Sequence, residues 1–263
     1  MLDLRRQELE RIHRFRTEHA ARFEVAERIL TFAEQFFGGR PLLIPPESGL
    51  LVLILVSFHV KIVVGLWSIV VLSERGLPTA SITRELFESM ISAAYIAADD
   101  SFERARLYMD YLAVREAKDL RARLADPRTQ DVDRPERRTA IENHEADVIA
   151  RRGPGYVTKM RKWSSWAGDF SLEAMAQRTT IEVPMYNLGY RLYSRATHGL
   201  DALRYTRLHP DGRVEPIVPD QVEENLMAAC AWALTALLAI GQKLGVDRGD
   251  ELHALMAKVE QVI

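Results

Sequence analysis

Two arginines, a serine and a histidine stand at helical spacing in one stretch of this chain. They are Arg191, Ser194, Arg195 and His198, within Y-N-L-G-Y-R-L-Y-S-R-A-T-H-G-L-D-A-L-R-Y, Tyr186 to Tyr205. At i, i+3, i+4 and i+7 they share one face of a helix. An imidazole that titrates near pH ~6.5 serves as general acid or base in neutral solution. A guanidinium keeps its charge and grips phosphate through paired N–H groups. Together these groups suit metal-independent cleavage of RNA. His198 would activate a ribose 2′-hydroxyl, Arg191 and Arg195 would clamp the phosphate and stabilise the charge developing on it, and Ser194 would donate an auxiliary hydrogen bond. The same four side chains equally suit a hydrogen-bonded structural cluster.

Other elements must position that stripe. A helix from about Thr79 to Ala98 carries Arg84 and Glu88 at i, i+4. Glu88 either faces the focal helix and orients His198 or Arg195, or closes an ion pair worth a few tenths of a kcal/mol, ~0.2–0.5. From Leu50 to Leu72 the chain is almost continuously apolar, and its length reaches the transmembrane range. His59 and Lys61 near its middle favour a buried core helix over a membrane span, because charge at mid-membrane is costly. Lys61 then needs a carboxylate or a route to the surface, and Glu85 and Glu88 are the candidates.

Helical periodicity also marks Leu2 to Phe37, Phe102 to Leu124, Thr139 to Arg152, Leu172 to Arg178, Gln221 to Leu244 and Asp250 to Ile263. Gly38-Gly39 ends the first. Ala125 to Arg138 reads as a polar loop or hairpin tip, and Gly153-Pro154-Gly155 ends the helix before it. His209 to Pro219, with Pro210-Asp211-Gly212, is turn chemistry. Convincing strand alternation is absent. The expected fold is an all-α bundle of about five to seven helices. An N-terminal amphipathic helix spans residues 1–40, and a single helical-bundle domain spans 41–263.

Composition narrows the chemistry. A formal net charge of −2 does not suit wholesale neutralisation of nucleic acid, although a local basic face remains open. One cysteine, Cys230, rules out an intramolecular disulfide and any cysteine-rich zinc site. The charged N-terminus lacks an apolar signal core, so a cytoplasmic location is expected. Glu10-x-x-His13 and His144-Glu145 are halves of metal motifs without their second halves and read as solvated helix faces. No metal or cofactor is expected. Ser194 lacks the glycines of a hydrolase elbow. Arg151, Arg152, Lys159, Arg161 and Lys162, with Tyr156, Trp163 and Trp166 nearby, form a cluster of the kind that binds single-stranded nucleic acid, although such charges more often make a solvated face.

The segment R-L-Y-S-R-A-T-H, Arg191 to His198, resembles the R-x(4–6)-H motif of the HEPN superfamily (higher eukaryotes and prokaryotes nucleotide-binding domains). That resemblance implies a helical, usually dimeric protein, with many relatives acting as RNases of toxin or phage-defence systems. RNA and a second copy of the chain are the partners it implies, with one histidine per subunit contributing to a composite site. The layout from about Leu50 to Tyr205 also resembles a bacterial family of helical proteins of unknown function. There an R-x-x-x-E helix, here Arg84 and Glu88, precedes a Y-x-x-x-S-x-x-x-H helix, here Tyr190, Ser194 and His198. The rival reading is a non-enzymatic interaction module in which Arg84, Glu88, Ser194 and His198 form a polar network. Membrane attachment through Leu50 to Leu72 is a third.

Overall fold

The structure, a computed structural model, describes residues 2–38, 49–129, 134–168, 170–179, 206–216 and 222–263. Among the described residues there are ten helices and one small hairpin. The helices are α1 (Leu2–Glu18), α2 (Ala20–Glu34), α3 (Gly49–Glu74), α4 (Ala80–Ala97), α5 (Ser101–Ala125), α6 (Pro135–Arg152), α7 (Pro154–Met160), α8 (Leu172–Ala176), α9 (Val222–Leu244) and α10 (Gly249–Val262). Strands β1 (Thr206–Leu208) and β2 (Val214–Pro216) pair antiparallel, with Leu208 opposite Val214. The described residues form helices apart from this hairpin, and the fold is all-helical in class.

The number of helices exceeds the expected five to seven partly because periodicity runs through local breaks. The first predicted helix kinks at His19, whose φ of −111° and ψ of 23° leave the helical region. Phe15 and Phe23 meet edge to face across the kink, 6.2 Å apart, so both rings reach the core. Gly153 adopts φ +86°, and Pro154 restarts a helix at once, because proline suits a first turn, where its missing N–H is no loss. The same preference starts α6 at Pro135, earlier than the polar composition indicated. The hairpin corrects the expectation of no strand. Gly212 at φ +82° and the Arg213 amide donating to Asp211 Oδ1 turn the chain between strands too short to show alternation.

The main core is built from α2, α3, α4 and α9. Ile29, Leu55, Ile62, Leu66, Phe87, Met90, Leu237 and Ile240 have no accessible surface. Each such side chain contributes roughly 1.5–3 kcal/mol by leaving water. Phe87 packs on Trp232, with centroids 4.6 Å apart, and joins α4 to α9. Gly241 lets α9 close on α2, since a Cβ there would lie 2.9 Å from the Phe36 ring. His59 of α3 is buried. Its Nε2 lies 2.8 Å from Ala33 O, to which it donates, and its ring stacks on Phe36. Burial holds its imidazole below the usual histidine range.

A second region is set apart. Helices α5, α6 and α7 form an arm with two small apolar clusters, Val114, Val148, Val157 and Met160 in one, Ala117, Leu120 and Ile141 in the other. The arm joins the core where Trp166 lies buried between Tyr95 and Tyr108 and donates its indole N–H to Ser92 Oγ at 3.3 Å.

Candidate functional site

Arg84 and Glu88 lie one turn apart on α4, on the side facing α3. Arg84 Nε–H donates to Glu88 Oε1 at 2.9 Å. The arginine side chain is 14% exposed and the glutamate 40%, so the guanidinium lies deep and the carboxylate opens to water. From α3, Lys61 reaches across to Glu85, Nζ to Oε1 3.0 Å. Of its two candidate partners, Lys61 therefore takes Glu85, and Glu88 holds Arg84. Helical spacing explains the pairing. Glu85 and Glu88 lie on adjacent rows of α4, and the long lysine stem carries its charge out of the apolar stripe of α3.

The two ion pairs line an open concavity of about 430 Å³ together with Ser81 and Ile82. It continues along the α3–α4 seam into a second of about 270 Å³ lined by Val64, Gly65, Ser68, Leu86 and Ser89. The hydroxyls here are turned inward. Ser68 Oγ donates to Val64 O at 2.8 Å and Ser89 Oγ to Glu85 O at 2.7 Å. The groove thus offers two cations and two carboxylates in balance. An anionic ligand can exchange with a carboxylate for a guanidinium or ammonium, and the exposed Glu88 can accept from an N–H or O–H donor. Among the described residues no group of three His, Cys, Asp or Glu side chains is placed to hold a metal ion.

The basic cluster around Gly153 is not a free surface. Arg151 Nη2 and Arg152 Nε grip the two oxygens of Asp110 at 2.7 and 2.9 Å, and Arg152 also pairs with Glu103. Arg161 Nη2 holds Glu145 Oε1 at 2.9 Å. Trp166 is buried, and Trp163 meets Tyr156 edge-on and covers Gly168. Three of the five cations and Trp163 therefore build the arm, and Trp166 ties it to the core. Lys159 and Lys162 remain exposed.

Glu145 corrects the reading of His144-Glu145 as a solvated face. His144 is exposed, but Glu145 is buried and accepts both arms of the Arg121 guanidinium, at 2.6 and 2.8 Å. Those bonds, with Arg161 beside them, hold its carboxyl below the usual range against the opposing cost of burial. Asp110 was likewise passed over, although only 1% of its side chain is exposed. A signal for Glu145 was present: Ile141, Glu145 and Val148 fall at i, i+4 and i+7, on the buried stripe of α6.

His198, Arg191, Ser194, Arg195 and Tyr190, with the helix expected from Tyr186 to Tyr205, lie outside the described residues. Arg84 and Glu88 are the members of the predicted constellation that the structure brings together. Among the described residues two helices, Gly49–Glu74 and Glu224–Leu244, are long and apolar enough to cross a membrane by length and composition, and the second is mostly buried in protein.

No curated protein and no solved structure matches the chain. A family model does match, over residues 52–213, which is more than half of the chain and nearly the stretch that carries the R-x-x-x-E and Y-x-x-x-S-x-x-x-H pattern. The chain belongs to DUF5677, a family of unknown function.

Proposed function

We propose that this protein is a HEPN-like, metal-independent RNA-cleaving or RNA-binding protein, of the kind that serves as a toxin or phage-defence component. The observation that carries this reading is the stripe Arg191, Ser194, Arg195 and His198, which combines a neutral-pH acid/base with two permanent cations at helical spacing. The α3–α4 groove supports it. Arg84 and Lys61 place positive charge beside an open concavity, each poised on a carboxylate that an incoming phosphate can displace. In this reading His198 is the acid/base, Arg191 and Arg195 clamp the phosphate, Ser194 donates to it, and Arg84, Glu88 and Tyr190 support them. The protein acts in the cytoplasm.

One observation favours the rival reading, a non-enzymatic interaction module. The Arg84 guanidinium is mostly buried and fastened to Glu88, as in a structural polar network. The deciding experiment is RNA cleavage by purified protein in EDTA, wild type against His198→Ala, with folding of both checked by circular dichroism. Cleavage lost at least a hundredfold in a folded variant is the expected result, since removal of a general acid/base typically costs ~10²–10⁴ in rate. No cleavage of any RNA by wild type, with lowered thermal stability in the variant, would establish the network instead.

A further inference from the structure

The arm has a concavity of its own. It lies between α5 and α6, measures about 350 Å³, shares no residue with the α3–α4 groove, and is lined wholly by described residues. Its apolar lining is Met109, Leu112 and Ala113 of α5 with Val148 of α6, and Met109 and Leu112 are each 37% exposed. Glu116 of α5 and Asp147 of α6 line it too, and both are exposed. Neither acid makes an ion pair or hydrogen bond through its carboxylate. Helical spacing explains why. Arg151, one turn from Asp147, would be its i, i+4 partner, but that guanidinium is committed to the buried Asp110 at 2.7 Å. The positions one turn from Glu116 are Leu112, Ala113, Asp119 and Leu120, none of them basic.

We propose that this groove docks a basic segment of a partner protein by receiving one of its arginine side chains. The aliphatic stem lies on Met109 and Leu112, and the guanidinium meets Glu116 and Asp147. The residue types match that ligand. An arginine stem covers apolar surface while its head stays with charge and water. Five N–H donors let one guanidinium serve two carboxylates. The unbranched thioether of Met109 adapts its shape to what lies on it. The same helix pair already uses this chemistry internally, where Asp110 holds Arg151 and Arg152 and Glu145 holds Arg121 and Arg161. Those four cations are spent on the buried acids, which leaves the two exposed acids of the groove to an external one.

Other occupants fit less well. Nucleic acid is repelled by two uncompensated carboxylates. A neutral apolar ligand would strip water from those carboxylates without replacing it. A metal ion would leave Met109 and Leu112 uncovered, and no group of three His, Cys, Asp or Glu side chains among the described residues is placed to hold one. Of the remaining polar lining, Asp110 and Arg151 satisfy each other, and the exposed His144 adds no negative charge. The contact is small, so it belongs with weak and transient interactions rather than with permanent assembly. This inference concerns α5 and α6 and stands or falls independently of whether the chain cleaves RNA.

The test is fluorescence anisotropy of a labelled amphipathic peptide of arginine and leucine, titrated with the full chain at physiological salt. Wild type is expected to bind saturably, with Kd below about 100 μM. The double variant Glu116→Lys, Asp147→Lys is expected to weaken binding at least about tenfold with unchanged circular dichroism. The control Asp250→Lys, Glu260→Lys changes net charge equally, at exposed positions of α10, and is expected to bind like wild type. Should the first pair of lysines disturb folding, Glu116→Gln, Asp147→Asn removes the charge at constant shape and is expected to weaken binding in the same direction. Leu112→Ser keeps the acids and is expected to weaken binding through the lost apolar contact. No saturable binding by wild type overturns the proposal. So does equal loss in the groove and control variants, which would mark attraction to net charge alone. Spermine competing as tightly as the peptide would assign the groove to a small polycation and overturn the protein partner.

Discussion

The main core and the α5–α6–α7 arm are both helical, and they cohere by different forces. In the core, α2, α3, α4 and α9 bury large side chains against one another, and Phe87, Trp232, Leu66 and Ile240 have almost no contact with water. In the arm, the apolar clusters are small, and what ties α5 to α6 and α7 is a pair of buried acids. Asp110 is gripped by Arg151 and Arg152, and Glu145 by Arg121 and Arg161. Apolar burial has no direction, so it tolerates sliding and small repacking. A carboxylate held by two guanidinium forks has strict geometry. The difference teaches that one chain can fix a helix pair by volume in one region and by hydrogen-bond direction in another.

The largest effect is expected from breaking the core. Phe87→Ala removes the ring that joins α4 to α9 and should cost about 3–5 kcal/mol. For a chain of this size that lowers Tm by roughly 10 °C, read by calorimetry as a shift of the whole transition.

A smaller and local effect is expected in the arm. Glu145→Ala leaves Arg121 and Arg161 facing each other, but both are partly open to solvent and can turn outward. The cost should be about 1–2 kcal/mol, less than for a fully buried pair. Amide exchange should accelerate in α5 and α6 and stay unchanged in α3 and α9. Uniform acceleration would show that the arm and core fold as one unit.

Acid should separate the two regions by pH rather than by size of effect. His59 has a folded pKa below its unfolded one, so its contribution is complete above pH ~6.5 and is lost as pH falls through the folded value. Glu145 also has a depressed folded pKa, but from the carboxylate range. Its contribution is complete above pH ~4.5 and is lost only below that. The α2–α3 contact should therefore weaken first on acidification and the arm later. His59→Leu should flatten the dependence of Tm on pH between 6.5 and 5, a range of ~1.5 units in which unperturbed histidine titrates. An unchanged slope in that variant would exclude His59 as its source.

These regions also differ in how far the sequence reveals them. Apolar periodicity locates α3, α4, α5 and α9 to within a few residues, because those helices carry their burial in their own pattern. Lys61 with Glu85 was among the readable options for a similar reason: a charge inside an apolar run demands a partner, and few acids are near. The acids of the arm were not read, since their partners sit on other helices or far along the chain. Glu145 meets Arg121 across 24 positions, and Asp110 meets Arg151 across 41. Adjacent-residue motifs such as His144-Glu145 mislead there, because consecutive helical residues point about 100° apart and one can be buried while its neighbour is wet. For the candidate site, Arg84 and Glu88 were legible as an i, i+4 pair. The groove they line depends on how α3 and α4 pack, which no local pattern encodes.

Cys230 turns the contrast between core and arm into something that can be timed. It is the single thiol of the chain, wholly enclosed in α9, and burial pushes its pKa up to about 12. An alkylating reagent therefore finds no thiolate on the native protein and reacts when the core opens. The molecule carries a stopwatch for its own interior that does not register events in the arm. A thiol added anywhere on the surface can be labelled selectively against that silent background.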